Sequence, residues 1–179
     1  MKRRFQTGAI ALCGLLAALA IVIMLMAGFI PAATFYCPVL VLFLMIPVMS
    51  ECGNKWASVW YAAVCILSLL LTFSNPEAAL IYIFLGYYPL VRKYINRLPL
   101  LPLKLAVKLL LFNAAIAAAY SVLLFVLKLP DLISDLHQAE KWMLLSGICL
   151  ANICFFLTDY VLGRFEVYYA VRLRKKLKL

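Results

Sequence analysis

The side chains able to do chemistry in this chain are few, and most recur at helical spacing within apolar runs. Tyr61, Cys65, Ser68 and Thr72 follow i, i+4, i+7, i+11, so one helix face carries all four. Asn113, Ala117 and Tyr120 share a second face, beside a stripe of small residues at Ala114, Ala118 and Ser121. Cys149, Asn152, Phe156, Asp159 and Gly163 line up on a third. Polar groups inside apolar helices face one another or a cavity, because lipid offers them no hydrogen bonds. Two readings follow: a polar pocket that holds a hydrogen-bonding solute, or interhelical hydrogen bonds that hold a bundle together.

A second set is charged. Glu51, Lys55, Arg92, Lys93, Lys104, Lys108, Asp159 and Arg164 lie towards one side of the expected bundle. Lysines and arginines at such places extend their stems to reach headgroups, which leaves Glu51 and Asp159 as the acids of functional interest. Asp159 is the most deeply placed acid, and Lys108 or Arg164 is its expected counter-charge, since an unpaired carboxylate in lipid is costly. No catalytic constellation accompanies them. His137 has no serine or cysteine beside it arranged as a nucleophile, and no glycine-rich phosphate cradle is present, so the chain is not expected to hydrolyse ATP or to be an enzyme. The six cysteines, at 13, 37, 52, 65, 149 and 154, form no CxxC pair, and with a single histidine no metal site or other cofactor is expected. They read as small packing residues.

The elements that must position these groups are membrane helices. Of the 179 residues 68% are hydrophobic and only 13% charged, with a mean hydropathy of +1.05; a soluble domain has nowhere to bury that much apolar surface. The expected fold is all-α: a single polytopic membrane domain over residues 1–179, with six transmembrane helices near 9–27, 38–50, 56–73, 78–94, 103–127 and 142–162. The first apolar run follows a basic start, as in a signal peptide. It is too long for one and lacks a clear cleavage site, so it is expected to stay as the first helix, with the rest gathered around it. The second run is short and contains Pro47, which predicts a tilt or kink. Polar or proline-bearing linkers are expected at 29–37, 51–55, 74–77 and 128–141, and Pro76 and Glu77 suit the first turn of the helix that follows.

The formal charge of +10 does not indicate nucleic acid, because the basic residues sit at helix ends, where anionic headgroups lie. With the N-terminus in the cytoplasm, fifteen lysines and arginines fall on the inner side and only Lys128 and Lys141 outside. That asymmetry predicts both termini in the cytoplasm of a multi-pass cell-membrane protein.

The whole pattern resembles the substrate-binding (S) component of energy-coupling factor vitamin transporters. The resemblance rests on the basic start with its small-residue helix (GLLAALAIVI), the proline-bearing first loop (FIPAATFYCP), the segment IPVMSECGNKWASVWYAA and the basic linker after residue 91. In that family an Ala-x-x-x-Ala motif on the first helix docks on a transmembrane coupling subunit. This chain has Gly14-x-x-x-Ala18 with Cys13-x-x-x-Ala17 alongside, so Gly14, Ala17 and Ala18 are the expected docking residues. The resemblance implies capture of a vitamin-like small molecule from outside, with ATP-driven uptake supplied by the coupling subunit and cytoplasmic ATPases. The expected pocket residues are Tyr36, Thr72, Tyr82, Asn113, Tyr120 and Asn152. The competing expectations are a six-helix scaffold of cell-envelope morphogenesis that transports nothing, and an intramembrane enzyme whose Glu51 and Asp159 converge on an inward-open cleft. The stretch Gly86-Tyr-Tyr-Pro89 has no place in any of these readings.

Overall fold

The structure is a computed structural model that describes residues 2–30, 33–72, 76–127 and 141–173. Of these, 92% are helical and none is in a strand. The helices are α1 (Lys2–Met26), α2 (Ala33–Leu71), α3 (Pro76–Leu85), α4 (Tyr88–Ile95), α5 (Leu101–Val122) and α6 (Lys141–Tyr168). Both α5 and α6 end in a wider π-helical turn, at Leu123–Leu127 and Tyr169–Leu173. Four stretches among the described residues are long and apolar enough to cross a membrane: Gly8–Met26, Ala33–Leu71, Leu101–Phe125 and Lys141–Arg172. Their outward surfaces carry large apolar side chains such as Leu15, Ile66, Leu110 and Trp142. That suits a helical membrane protein, because lipid solvates what water would not.

The second helix is not one straight rod. Gly53 sits at φ 82°, ψ 169° inside it, a conformation open to glycine because it has no Cβ. Before this point Cys52 meets α1 at the Cys13 sulfur (2.7 Å) and the Ala9 carbonyl (3.6 Å). Beyond it, the Trp60 indole N–H donates to the Cys13 carbonyl at 3.0 Å. Eight residues of straight helix advance about 12 Å, so Cys52 and Trp60 reach the same residue only because the chain turns back at Gly53. The expected linker at 51–55 is therefore helical except at this one reversing glycine.

Two apolar cores result, and the first half of α2 belongs to both. Val41, Met45 and Val48 pack with Ala20, Ile21 and Met24 of α1, Ala57 and Val64 of the returning half of α2, and Ala78 and Tyr82 of α3. On its other side Leu42 and Ile46 join Ile81, Leu85, Tyr88, Phe112, Phe155, Leu162 and Tyr169. The helix at the centre is thus 33–52, not α1 as the sequence suggests. The stretch with Pro47 is buried on both sides, and its surroundings hold it helical through the proline.

Several boundaries differ from expectation. The second helix begins at Ala33, inside the expected linker, while residues 31–32 and 73–75 fall outside the description. The expected helix at 78–94 is broken at Gly86 and Tyr87, and the last helix runs beyond residue 162 to Tyr168. Pro76 and Glu77 do occupy the first turn of α3, where a proline has no amide to lose and an acid meets the positive end of the helix dipole. The connector at 128–140, with His137, lies outside the described residues.

Candidate functional site

The densest polar constellation lies where α4, α5 and α6 meet, and Asp159 is its hub. Its Oδ1 accepts from the Tyr88 hydroxyl at 2.7 Å and from Arg92 Nε at 2.6 Å, while Oδ2 accepts from Lys108 Nζ at 2.6 Å. The side chains of Arg92, Asp159 and Lys108 are only 13%, 13% and 8% exposed, so these are buried, charge-assisted bonds. Arg92 also reaches Glu166 at 3.0 Å, but that carboxylate is 52% exposed and its share is correspondingly weaker. Arg164, the other expected counter-charge, does not meet Asp159. Its guanidinium lies over the Tyr160 ring at 5.4 Å and bonds that hydroxyl.

The surrounding sequence makes this geometry. Tyr88 and Arg92 are one turn apart on α4, so both side chains leave the same face. Gly163 leaves room for the guanidinium, since a Cβ there would sit 2.5 Å from Arg92 Nη2. Beside the charges, Tyr88 packs edge-on against Phe155 (4.9 Å), which stacks on Phe112 at 4.4 Å. Glu51, the second acid of interest, pairs elsewhere, with the Tyr169 hydroxyl at 3.4 Å.

The six expected pocket residues divide. Asn113 and Asn152 are brought together, donating to each other at 2.9 and 3.3 Å, and each also bonds a carbonyl of its own helix. Tyr120 donates to Glu77 at 2.9 Å. The Thr72 hydroxyl bonds the Ser68 carbonyl of its own helix, and Ser68 in turn bonds the Cys65 carbonyl at 3.0 Å. Tyr82 is 1% exposed, and its hydroxyl has no hydrogen-bond partner among the described residues. Tyr36 is 67% exposed and joins none of the others. Tyr82 sits beside Tyr61, with ring centroids 5.8 Å apart, and the Tyr61 hydroxyl donates to the Ile83 carbonyl.

Two concave surfaces accompany these groups. A narrow cleft beside the hub is lined by Ser50, Pro89, Arg92, Lys93 and Glu166. A wide, open apolar groove of about 770 Å³ follows α5 from Leu105 to Ala117, with Asn113 and Phe156 on its wall. On α1, Gly14 and Ala18 are exposed, and a Cβ at Gly14 would meet nothing within 4 Å; Ala17 packs against the first core.

Sequence reasoning misses Tyr88, Arg92 and Glu77 as site residues. The available signal is the Tyr88–Arg92 spacing within and after the unplaced Gly-Tyr-Tyr-Pro stretch, opposite an acid that needs a cation. The described residues form an all-helical fold with four helices long and apolar enough to cross a membrane, which fits the class of helical membrane proteins. Comparison with known protein families, curated proteins and solved structures gives no match.

Proposed function

We propose that the chain is a membrane-embedded solute-binding subunit that captures a small, vitamin-like molecule from outside and hands it to a coupling partner. The carrying observation is the polar end where α2, α3 and α5 meet. Thr72 closes α2, Glu77 opens α3 and holds Tyr120 of α5, and one and a half turns further along α3 lies the buried Tyr82 hydroxyl. A buried hydroxyl with an unmade hydrogen bond calls for an explanation, and a polar atom of a bound solute supplies one. The six-pass arrangement belongs to the same proposal. The halves of α2 at 33–52 and 54–71, and α3 with α4, are each 18–20 residues long, close to one hydrocarbon thickness. Six passes would return both termini to one side, and the fifteen-to-two lysine and arginine count supports reading that side as the cytoplasm.

Native mass spectrometry of the protein in mild detergent is the direct test. A vitamin-sized adduct is expected, and Tyr82→Phe should weaken its binding about three- to tenfold, the worth of one hydrogen bond. Thermal stability should stay level or rise in that variant, because a buried unbonded hydroxyl is removed.

The exposed Gly14–Ala18 face is proposed as the docking surface for the coupling subunit, where small residues let a partner helix approach closely. Gly14→Leu or Ala18→Leu should abolish co-purification of that subunit and its ATPases while solute affinity stays within about twofold. Loss of solute binding with an intact complex would sink the assignment. A second reading, the non-transporting scaffold, is favoured by one observation: Asn113 and Asn152 satisfy each other. A clean apo mass with no coupling subunit from native membranes would select it.

A further inference from the structure

We propose that Cys13 and Cys52 form a reversible redox site, a thiol pair that closes to a disulfide on exposure to a peroxide. Their sulfurs lie 2.7 Å apart although 39 residues separate them in sequence. The neighbouring geometry favours closure over chance contact. Side chains on a helix tilt towards its N-terminus, so Cys13 leans over the turn that begins at Ala9. Cys52 sits against that same turn, with its sulfur 3.6 Å from the Ala9 carbonyl. From the returning half of α2, the Trp60 indole clamps the Cys13 carbonyl at 3.0 Å and fixes the register of α1 against the hairpin. A disulfide needs a sulfur separation near 2.05 Å, so about 0.7 Å of further approach completes the bond.

Access is built in as well. Cys52 lies between Glu51 and Gly53, followed by Asn54 and Lys55, which makes the turn the polar end of an otherwise apolar hairpin. Both cysteines are only partly buried. The chemistry balances with one co-reactant. A thiolate attacks a peroxide oxygen, the O–O bond breaks, and one sulfur becomes a sulfenic acid with release of one water. The second thiol then displaces the sulfenic oxygen as a second water, forming the S–S bond; the two sulfurs together lose two electrons, which the peroxide gains. In a reducing cytosol such a bond is transient, so the pair responds to oxidant rather than serving as a permanent staple. Closed, it ties α1 to the turn at Gly53 and prevents α1 from sliding past α2. The pairing of the two sulfurs does not depend on the proposed solute site; the reducing surroundings rest on the proposed cytoplasmic placement of this turn.

The test counts free thiols. Protein in native membranes is treated with hydrogen peroxide at low millimolar concentration, quenched, denatured in SDS and labelled with a maleimide-linked polymer. The reduced chain should take up label at all six cysteines. The oxidised monomer should lose two labels and regain them with dithiothreitol, and peptide mapping should find Cys13 joined to Cys52. C13S and C52S should each take up five labels with or without peroxide, whereas a C149S/C154S variant should still lose two. Because wild-type mapping needs no substitution, a misfolded variant leaves the outcome readable. Six labels after oxidation, a pair between other cysteines, or a covalent dimer in place of the oxidised monomer would overturn the assignment.

Discussion

Replacing Asp159 by alanine is expected to lower stability by about 3–5 kcal/mol, the loss typical when one member of a buried ion pair is removed and its partner stays charged. Here Lys108 is stranded and Arg92 keeps only its half-exposed contact with Glu166, because both cations close on this carboxylate at 2.6 Å. Asp159→Asn should lose most of the same stability. It keeps the shape and an acceptor for the Tyr88 hydroxyl, so its difference from the wild type isolates the charge, and its difference from the alanine variant isolates packing and that hydrogen bond. Lys108→Met in the Asp159→Asn background should restore part of the loss, since the apolar stem stays packed while one unpaired cation disappears. Unfolding in detergent followed by tryptophan emission is a suitable readout, with Trp60 buried in the first core. An Asp159→Asn protein as stable as the wild type would mean that the hub does not hold α4, α5 and α6 together. Breaking the Arg92–Glu166 limb with Glu166→Gln should change stability by less than about 1 kcal/mol, as expected for a half-exposed pair.

Gly86→Ala is expected to destabilise the bundle by about 1–3 kcal/mol, the usual penalty for forcing a methyl group into filled space. An added Cβ would lie 2.6 Å from the Tyr82 carbonyl oxygen and 2.7 Å from Cε2 of Tyr61. Neither neighbour gives way easily: one is backbone, and the other is a ring whose hydroxyl is tied to the Ile83 carbonyl. Displacement there disturbs the break between α3 and α4 and so the angle at which Tyr88 and Arg92 reach Asp159. Gly147→Ala is the matched control. No atom lies within 4 Å of a Cβ at that exposed helical position, so the substitution should be neutral or slightly stabilising through helix propensity. Equal effects at the two glycines would refute the role assigned to Gly86.

The constellation at Asp159 is half legible in the sequence. An acid placed that far into an apolar run must find a cation, and Lys108 is one of the two that the spacing offers. Arg92 reads instead as one of a headgroup-facing cluster, because no local feature marks which lysines and arginines turn inward. Cys13 and Cys52 read as packing residues for a similar reason: their proximity follows from the packing of α1 against the first half of α2, and nothing local to either cysteine marks which residue it will face.

Properties that depend on a residue and its near neighbours along the chain can be read directly. Long apolar runs with charges at their ends require helices in lipid, Pro76 and Glu77 open a helix, and the i, i+4, i+7 spacing puts Asn113, Ala117 and Tyr120 on one face. Tertiary structure decides which face of each helix turns inward, that 33–52 rather than α1 is central, and that Tyr36 points away while Asn113 meets Asn152. In a soluble helix the polar side marks the outside. In a membrane helix lipid and core are both apolar, so the pattern along the sequence leaves rotation open, and packing between small residues and a few polar pairs settles it.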